Sequence, residues 1–363
     1  MNKSIFPDFR NSIFKKLSGY TPGEQPDNEN WIKLNTNENP YPPSPDALNV
    51  LKTISDNPSV LRKYPNPAGE PLRSALAIKF HLNPENILVT NGSDEALSLV
   101  CRVFLGPGKK ALAPEITYSL YETLVLFSGA DFAYAPMKND ETLNISLENL
   151  LSHVADVVFL SNPNAQTGEY ISPEIISATI RKSERLWIID EAYNDFAESD
   201  APSFIPHLQN HPNAIVVRTL SKSHALAGVR IGYAVSLNPY ILEGLNTAKD
   251  SYNEDALAIR IGQASLNDDA YLRKTIALVQ NERKRLVQEL LKRDFLILPS
   301  HANFILAQPP EPFIALNILN QLKDAKILLR HFNTRLLSRY LRISVGTQEE
   351  NNRLLQAIDA IIL

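Results

Sequence analysis

Disulfide chemistry and membrane insertion are the first possibilities that the sequence sets aside. One cysteine, Cys101, stands in 363 residues, so no internal disulfide can form and a reducing compartment is expected. It lies in the apolar run Leu99-Val100-Cys101, where a small buried residue is the expected role and a nucleophile the minor alternative. No apolar stretch approaches the roughly 18 residues that a membrane-spanning helix requires. Met1 to Leu17 mixes Asp8, Arg10, Lys15 and Lys16 with Ile and Phe, without the continuous apolar segment and small-residue cleavage site of a secretion signal. A soluble, cytoplasmic protein is expected. Lys and Arg do not gather into a basic block and the net charge is −4, so neither nucleic acid nor a membrane is expected as a partner. Repeats and low-complexity tracts are missing. So are a G-x-G-x-x-G turn after a strand, a G-x-x-x-x-G-K-S/T loop, H-E-x-x-H and G-x-S-x-G. The seven histidines show no metal-ligand spacing, and no metal is expected.

What is present is an ordinary globular composition, 44% apolar and 21% charged, in a chain long enough for one large or two moderate domains. The first 45 residues are rich in Pro, Asn and Gly and read as an ordered arm rather than helix or strand. Short apolar runs then recur at Ile87 to Val89, Val157 to Leu160, Leu186 to Ile189, Ile215 to Val217 and Ile231 to Val235, mostly separated by enough chain for a helix. Runs without polar alternation suit strands covered on both faces, and intervening helices suit a mainly parallel sheet. Between Thr219 and Arg230 there is no room for a helical crossover, so the strand at Ile231 is expected to run antiparallel to its neighbour. Beyond about residue 256 the pattern changes. Leu272, Ile276, Val279, Leu286 and Leu290 keep helical spacing to near Arg293. Strand-like pieces at Phe295 to Leu298 and Asn303 to Leu306 follow, then a helix near Ala315 to Ala325 and a final strand at Leu341 to Val345. This predicts a large α/β domain followed by a smaller α+β domain.

Three clusters can carry chemistry. Arg218-Thr219-Leu220-Ser221-Lys222, with Arg230 eight residues on, ends a strand with two hydroxyls, a lysine and an arginine. A lysine there can form an imine with an aldehyde cofactor while hydroxyls and a guanidinium hold its phosphate; taken alone, a solvated lysine and a structural ion pair would be the commoner reading. Ile188-Ile189-Asp190-Glu191-Ala192-Tyr193 ends another strand with two acids and a tyrosine, 32 residues before Lys222. Loops at the carboxyl ends of neighbouring strands share one crevice. An aspartate there can keep a pyridine nitrogen protonated and Tyr193 can reach a ring oxygen, whereas Glu191 is expected to point outward into solvent. Third, Thr90 to Leu97 reads as strand, glycine turn and helix start, whose free N–H groups can hold phosphate, although Ser93 or Asp94 equally suits a plain helix cap. Tyr118 and Tyr121 can set an aromatic face against a planar cofactor or serve the core. His224 either lines the same site or packs.

Together these residues resemble the fold-type-I pyridoxal-phosphate (PLP) aminotransferases, and within them the histidinol-phosphate aminotransferase branch. The likeness runs nearly end to end, through Tyr20-Thr21-Pro22-Gly23, Leu34-Asn35-Thr36-Asn37-Glu38-Asn39-Pro40-Tyr41, Lys63-Tyr64-Pro65, Asn91 to Glu95, Asp190 to Tyr193, Arg218 to Lys222, Leu226 to Tyr233 and Leu341 to Thr347. It implies a large domain with a mainly parallel seven-stranded sheet flanked by helices. An arm over 1–35 would join a small α+β domain over 256–363, with the PLP-binding domain at 36–255. It implies Lys222 as Schiff-base lysine and proton shuttle, Asp190 against the pyridine nitrogen and Tyr193 at the ring oxygen. Ser93, Asp94, Thr219, Ser221 and Arg230 would hold the phosphate, and Tyr118 would stack on the ring. Tyr64 would reach the cofactor of a second subunit, so the active unit would be a homodimer with its sites at the interface. Arg342 would bind the anionic end of substrates, with Arg330, Tyr20 and Asn37 as helpers. Two departures lie beside the cofactor. The family's Asn-Pro-Asn-Asn-Pro-Thr-Gly stands here as Asn162-Pro163-Asn164-Ala165-Gln166-Thr167-Gly168, which leaves the ring-oxygen asparagine to Asn164. The usual aromatic-glycine pair after the lysine is His224-Ala225.

The implied reaction passes an amino group from a small-molecule donor, glutamate by resemblance, to imidazole-acetol phosphate or the reverse. The nearest alternatives are an aminotransferase for aromatic or other amino acids and a phosphothreonine-type PLP decarboxylase on the same scaffold. A non-catalytic PLP-sensing module would need a DNA-binding extension, for which the arm before residue 30 is too short.

Overall fold

The computed structural model describes residues 8–11, 13–14, 19, 22–26, 30–198 and 201–362. In chain order the elements are β1 (Ile32–Lys33), α1 (Pro45–Asp56), α2 (Leu72–Phe80), β2 (Ile87–Asn91), α3 (Gly92–Phe104), β3 (Lys110–Pro114), α4 (Leu120–Phe127), β4 (Asp131–Ala135), α5 (Leu147–Ser152), β5 (Val157–Ser161), α6 (Pro173–Ile180), β6 (Leu186–Asp190), β7 (Ala214–Thr219) and β8 (Ile231–Val235). After these come α7 (Pro239–Ala248), α8 (Ala256–Asn267), α9 (Asp269–Leu291), β9 (Leu296–Leu298), β10 (Phe304–Gln308), α10 (Ala315–Asp324), β11 (Ile327–Leu328), β12 (Arg330–His331), β13 (Leu341–Ser344) and α11 (Gln348–Ile362).

Seven strands form one sheet in the order β2-β8-β7-β6-β5-β3-β4. Only β8 is antiparallel to its neighbours, as the short link from Thr219 to Arg230 requires. Successive side chains enter opposite cores. Val157, Phe159, Ile188 and Ile215 join α3, α4 and α7 on one face. Val158, Leu160, Ile189 and Val216 join α2, α5, α6 and α8 on the other. Burial on both faces explains the unbroken apolar runs. One connection lacks the expected helix: β6 reaches β7 through 3-10 turns at Asn194–Phe196 and Ile205–Asn210. Pro202, Pro206 and Pro212 fall in this stretch, and proline interrupts the N–H ladder of an α-helix.

The second sheet, β12-β13-β10-β9, is wholly antiparallel. Its Ile305, Ala307, Leu341 and Ile343 pack on α9, α10 and α11 in a separate core. Because side chains alternate along a strand, Arg342 and Ser344 of β13 face the other way. The arm differs from its expectation at one point. Ile32 and Lys33 pair in parallel with Ile327 and Leu328, and the buried Ile32 and Leu34 belong to this smaller core. Among the described residues no helix is long and apolar enough to cross a membrane.

Candidate active site

The strand order decides which residues meet. β6 and β7 are adjacent and parallel, with Asp190 beside Val217, so Asp190 and the Thr219-to-Lys222 loop leave the sheet at the same edge. β8 runs the other way, which puts its start, and with it Arg230, at that edge too. β2 flanks β8 and turns at Gly92 into α3, so Ser93 and Asp94 arrive beside Arg230. Gly232 makes this approach possible: a Cβ there would lie 2.3 Å from the backbone carbon of Gly92 and the nitrogen of Ser93. Gly92, at φ +73°, adopts the left-handed backbone that glycine tolerates.

The result is a cleft of about 190 Å³ lined by Asn37, Ser93, Asp94, Tyr118, Asp190, Tyr193, Thr219, Ser221, Lys222, Arg230, Arg330 and Arg342. The Lys222 ammonium donates to the Thr36 carbonyl at 3.2 Å and lies 5.8 Å from the Tyr193 ring centroid. Asn39 steadies the lysine's backbone by donating to the Lys222 and Ser223 carbonyls. Asp190 is 4% exposed. It accepts from the Tyr121 hydroxyl at 2.6 Å and from the Ala192 N–H at 3.1 Å. Burial pushes its carboxyl up to about 6 against the opposing pull of these two bonds. Burial and the adjacent Asp190 hold the Tyr121 phenol well above its ordinary value, so it remains a donor.

On the other side of the cleft Arg230 pairs with Asp94 at 3.1 Å, and Tyr118 donates to the same carboxylate at 3.3 Å. The Thr219 hydroxyl donates to that of Ser221 at 2.9 Å. Asn91, at the N-cap of α3, makes no side-chain cap bond, so the helix start offers backbone N–H groups. Arg342, 9% exposed, donates to the Ala165 carbonyl at 3.0 Å, the Gln166 amide oxygen at 2.9 Å and the Asn35 carbonyl at 3.2 Å. Its guanidinium lies 5.2 Å from the ring centroids of Phe304 and of Phe332.

Two expectations need correction, those for Asn164 and Glu191. Asn164 is fully buried and occupied with its own turn, accepting from the Gln166 and Thr167 N–H groups and donating to the Ile116 carbonyl. It does not line the cleft; Ala165 and Gln166 do. Glu191 points inward, 2% exposed, where it accepts from Arg218, the Ser203 hydroxyl and the Phe204 N–H. Burial raises its pKa despite Arg218. His224 packs against the Ser265 hydroxyl at 2.8 Å, and burial pushes it down to about 4, which leaves it neutral at physiological pH. Tyr64 lies outside the cleft, 80% exposed and stacked on Tyr252 at 4.4 Å. Tyr20 falls outside the described residues.

Two roles were not assigned from sequence: Tyr121 supports Asp190 and Gln166 holds Arg342. Asn37, expected as a helper at the substrate's anionic end, contacts Tyr193. Only Tyr121 had a usable signal: a buried tyrosine needs a partner for its hydroxyl.

A mainly parallel sheet with a lysine and a buried carboxylate at adjacent strand ends, beside a second antiparallel sheet, defines the fold-type-I transferase architecture. The chain matches the aminotransferase class I and II sequence family over residues 29–358 and belongs to it. It is 40% identical to histidinol-phosphate aminotransferase 1 of a Nostoc species over 96% of this chain and 97% of that one. It is 38% identical to the histidinol-phosphate aminotransferase of a Synechocystis species over 99% and 98%. The crystal structure of histidinol-phosphate aminotransferase from Sinorhizobium meliloti in complex with pyridoxal-5'-phosphate superposes with a TM-score of 0.88, at 25% identity over 99% of both chains.

Proposed function

We propose that the chain is a PLP-dependent aminotransferase interconverting histidinol phosphate plus 2-oxoglutarate and imidazole-acetol phosphate plus glutamate. The observation that carries this reading is the amine of Lys222 and the carboxylate of Asp190 lining one cleft that also contains Arg230, Arg330 and Arg342. The names of the relatives support the substrate. Asp190 itself supports the cofactor. It is a buried carboxylate with no cation paired to it among the described residues, a costly arrangement that a protonated pyridine nitrogen would relieve.

In this reading Lys222 anchors the cofactor and Asp190 faces the ring nitrogen, backed by Tyr121. Tyr193 faces the ring oxygen and Tyr118 the ring plane. Ser93, Asp94, Thr219, Ser221 and Arg230 surround the phosphate. When bound, the cofactor supplies an aldehyde that links to amines and a protonated ring that accepts the electron pair released at the substrate's α-carbon. Lys222 Nζ is the group placed to take the proton from that carbon and to return it during transfer. Arg342, with Arg330, grips the anionic end of each substrate; a guanidinium fork suits a carboxylate and a phosphate alike. The second product leaves by the same groups acting in reverse order.

We also propose an arm over 1–35, a cofactor-binding domain over 36–255 and a small domain over 256–363; the separate core of the second sheet supports this division from α9 onward, while α8 packs on the large sheet. The proposal also includes a homodimer in which the exposed Tyr64 is presented to the partner's cofactor, and a cytoplasmic setting supported by a lone, buried cysteine. Lys222→Ala is expected to abolish turnover and the visible band of the cofactor-loaded protein; retention of both would refute the assignment. Histidinol phosphate and phenylalanine compared as donors in single half-reactions test the substrate. A clear preference for phenylalanine would reject histidinol phosphate while leaving the aminotransferase standing.

A further inference from the structure

Asn37 holds a conformation that its neighbours dictate. Its backbone is left-handed at φ +55°, and it is 1% exposed. Its own N–H donates to the Ser344 hydroxyl at 2.9 Å, and that hydroxyl donates back to Asn37 Oδ1 at 2.9 Å. The Asn303 amide fixes the Asn37 carbonyl at 3.0 Å. In this arrangement Ser344 Oγ accepts from the backbone N–H and spends its hydrogen on the Asn37 amide oxygen. Asn37 Nδ2 therefore points the other way, and it lies 3.1 Å from the Tyr193 hydroxyl.

That contact has a direction. An amide N–H has nothing to accept with, so the phenol oxygen must be the acceptor and its own hydrogen must go elsewhere. Tyr193 lines the cleft. We propose that Asn37, held by Ser344, is a positioning residue that fixes Tyr193 as a hydrogen-bond donor into the cleft, toward the ring oxygen of the bound cofactor. This rests on the aminotransferase reading above. It also gives the departure at Ala165 a structural counterpart. A methyl group there offers the ring oxygen no donor, so the burden falls on Tyr193, whose hydroxyl orientation is not left to chance. Ser344 stands two residues from Arg342 on one face of β13, and Arg342 donates to the Asn35 carbonyl. The same short segment, residues 35 to 37, is thus held at one end by Arg342 and at the other by Ser344.

The test is a pH titration of the visible band of the PLP-loaded protein. A donor to the ring oxygen favours the form in which that oxygen bears full negative charge, after a proton has left the group, so losing the donor raises the pH midpoint. A charge-assisted hydrogen bond corresponds to a shift of about one pH unit or more. Tyr193→Phe sets the ceiling. Asn37→Asp puts an acceptor where the donor was and turns the Tyr193 hydrogen away from the cleft; its midpoint should rise nearly as far. Asn37→Gly keeps the left-handed backbone without strain, and Ser344→Ala leaves the Asn37 side chain in place; both should give smaller upward shifts. In a Tyr193→Phe background neither Asn37→Gly nor Ser344→Ala should move the midpoint further. Unchanged midpoints in proteins that still carry the band, or shifts that persist without the Tyr193 hydroxyl, would overturn the proposal and leave the cofactor reading intact. An unsubstituted protein with no visible band would overturn both.

Discussion

The buried carboxylate of Asp190 makes a measurable prediction for the protein stripped of cofactor. Its pKa rises from the ordinary 3.8 to about 6, because burial penalises the charged form. Each unit corresponds to 1.36 kcal/mol, so the ionised state carries a penalty of about 3 kcal/mol. The sign follows from linkage. A group that holds its proton more tightly when folded favours the fold below the unfolded pKa, and that advantage disappears as pH rises through the folded pKa. The apoprotein therefore loses about 3 kcal/mol from this group between roughly pH 4 and pH 6 and regains none above. Asp190→Asn removes the titration. Asparagine can still accept from Tyr121, but its amide then faces the Ala192 N–H, a mismatch of about 1 kcal/mol. At pH 8 the variant should be more stable by about 2 kcal/mol, and at pH 4 slightly less stable than the original. Over a chain of this length, about 2 kcal/mol corresponds to roughly 3 °C in Tm. Calorimetric scans of both apoproteins at the two pH values would measure this. With cofactor bound the order at pH 8 should reverse, since the carboxylate then has a cationic partner and asparagine does not. Equal Tm differences at both pH values would refute the claim that Asp190 is buried and uncompensated.

Three further outcomes are expected. Ala225 sits at φ +57°, where an L-residue is strained by about 1–2 kcal/mol and glycine is not, so Ala225→Gly should raise urea-unfolding stability by about 0.5–1 kcal/mol after the entropy glycine loses on folding. Gly232→Ala drives a methyl group to 2.3 Å from the turn that starts α3. Equilibrium unfolding should show a loss of about 1–3 kcal/mol, and dialysis a cofactor affinity at least roughly tenfold weaker, because Ser93 and Arg230 are forced apart. Burial pushes the Cys101 thiol up to about 12, so a thiol-reactive chromophore should leave the folded protein untouched and titrate one sulfhydryl after denaturation.

Much of the architecture was legible because burial on both faces writes itself into a strand as an unbroken apolar run. β5, β6, β7 and β8 all carry one, and the antiparallel turn of β8 followed from the length of its link. β3 escaped because Lys-Ala-Leu-Ala-Pro combines alanine and proline, neither of which favours strands; its neighbours impose the conformation. The edge strand β4, only partly buried, lacked the run. α11 did have a signal. Thr347 and Glu350 form a reciprocal cap, the Glu350 carboxylate accepting from the Thr347 N–H and the Thr347 hydroxyl from the Glu350 N–H, a spacing visible in sequence. In the cleft, Lys222 and Asp190 could be found because each follows a strand. The Asn37–Tyr193 contact could not, since it joins residues 156 positions apart from different segments. Asn164 misled because an asparagine in a turn can spend its side chain on its own backbone, as it does here.

Three of the seven described non-glycine residues with positive φ lie where the chemistry would occur. Asn37, Ala225 and Arg230 all have positive φ, at 55°, 57° and 62°, and all lie in segments that line or border the cleft. Asp190 adds a buried charge. Such conformations persist only where the surroundings over-determine them, and here they do. Asn37 is fixed by Ser344 and Asn303. The Lys222 loop is closed by the Leu220 N–H donating to Ile231 and the Leu226 N–H donating to Leu220. Beneath it, Arg218 links Glu191 with Asp195, which in turn accepts from Ser223. This buried set joins the residue after Asp190 to the residue after Lys222, so the two groups that would grip opposite sides of one cofactor are braced by the same arginine. Eleven residues, Leu220 to Arg230, must reverse the chain and still present Lys222 and Arg230 at one sheet edge. A relaxed backbone over that distance would aim one of them away, and the strain at Ala225 and Arg230 is what that constraint looks like in dihedral angles. Substitutions that relieve these costs one at a time should therefore stabilise the empty protein while loosening its hold on the cofactor.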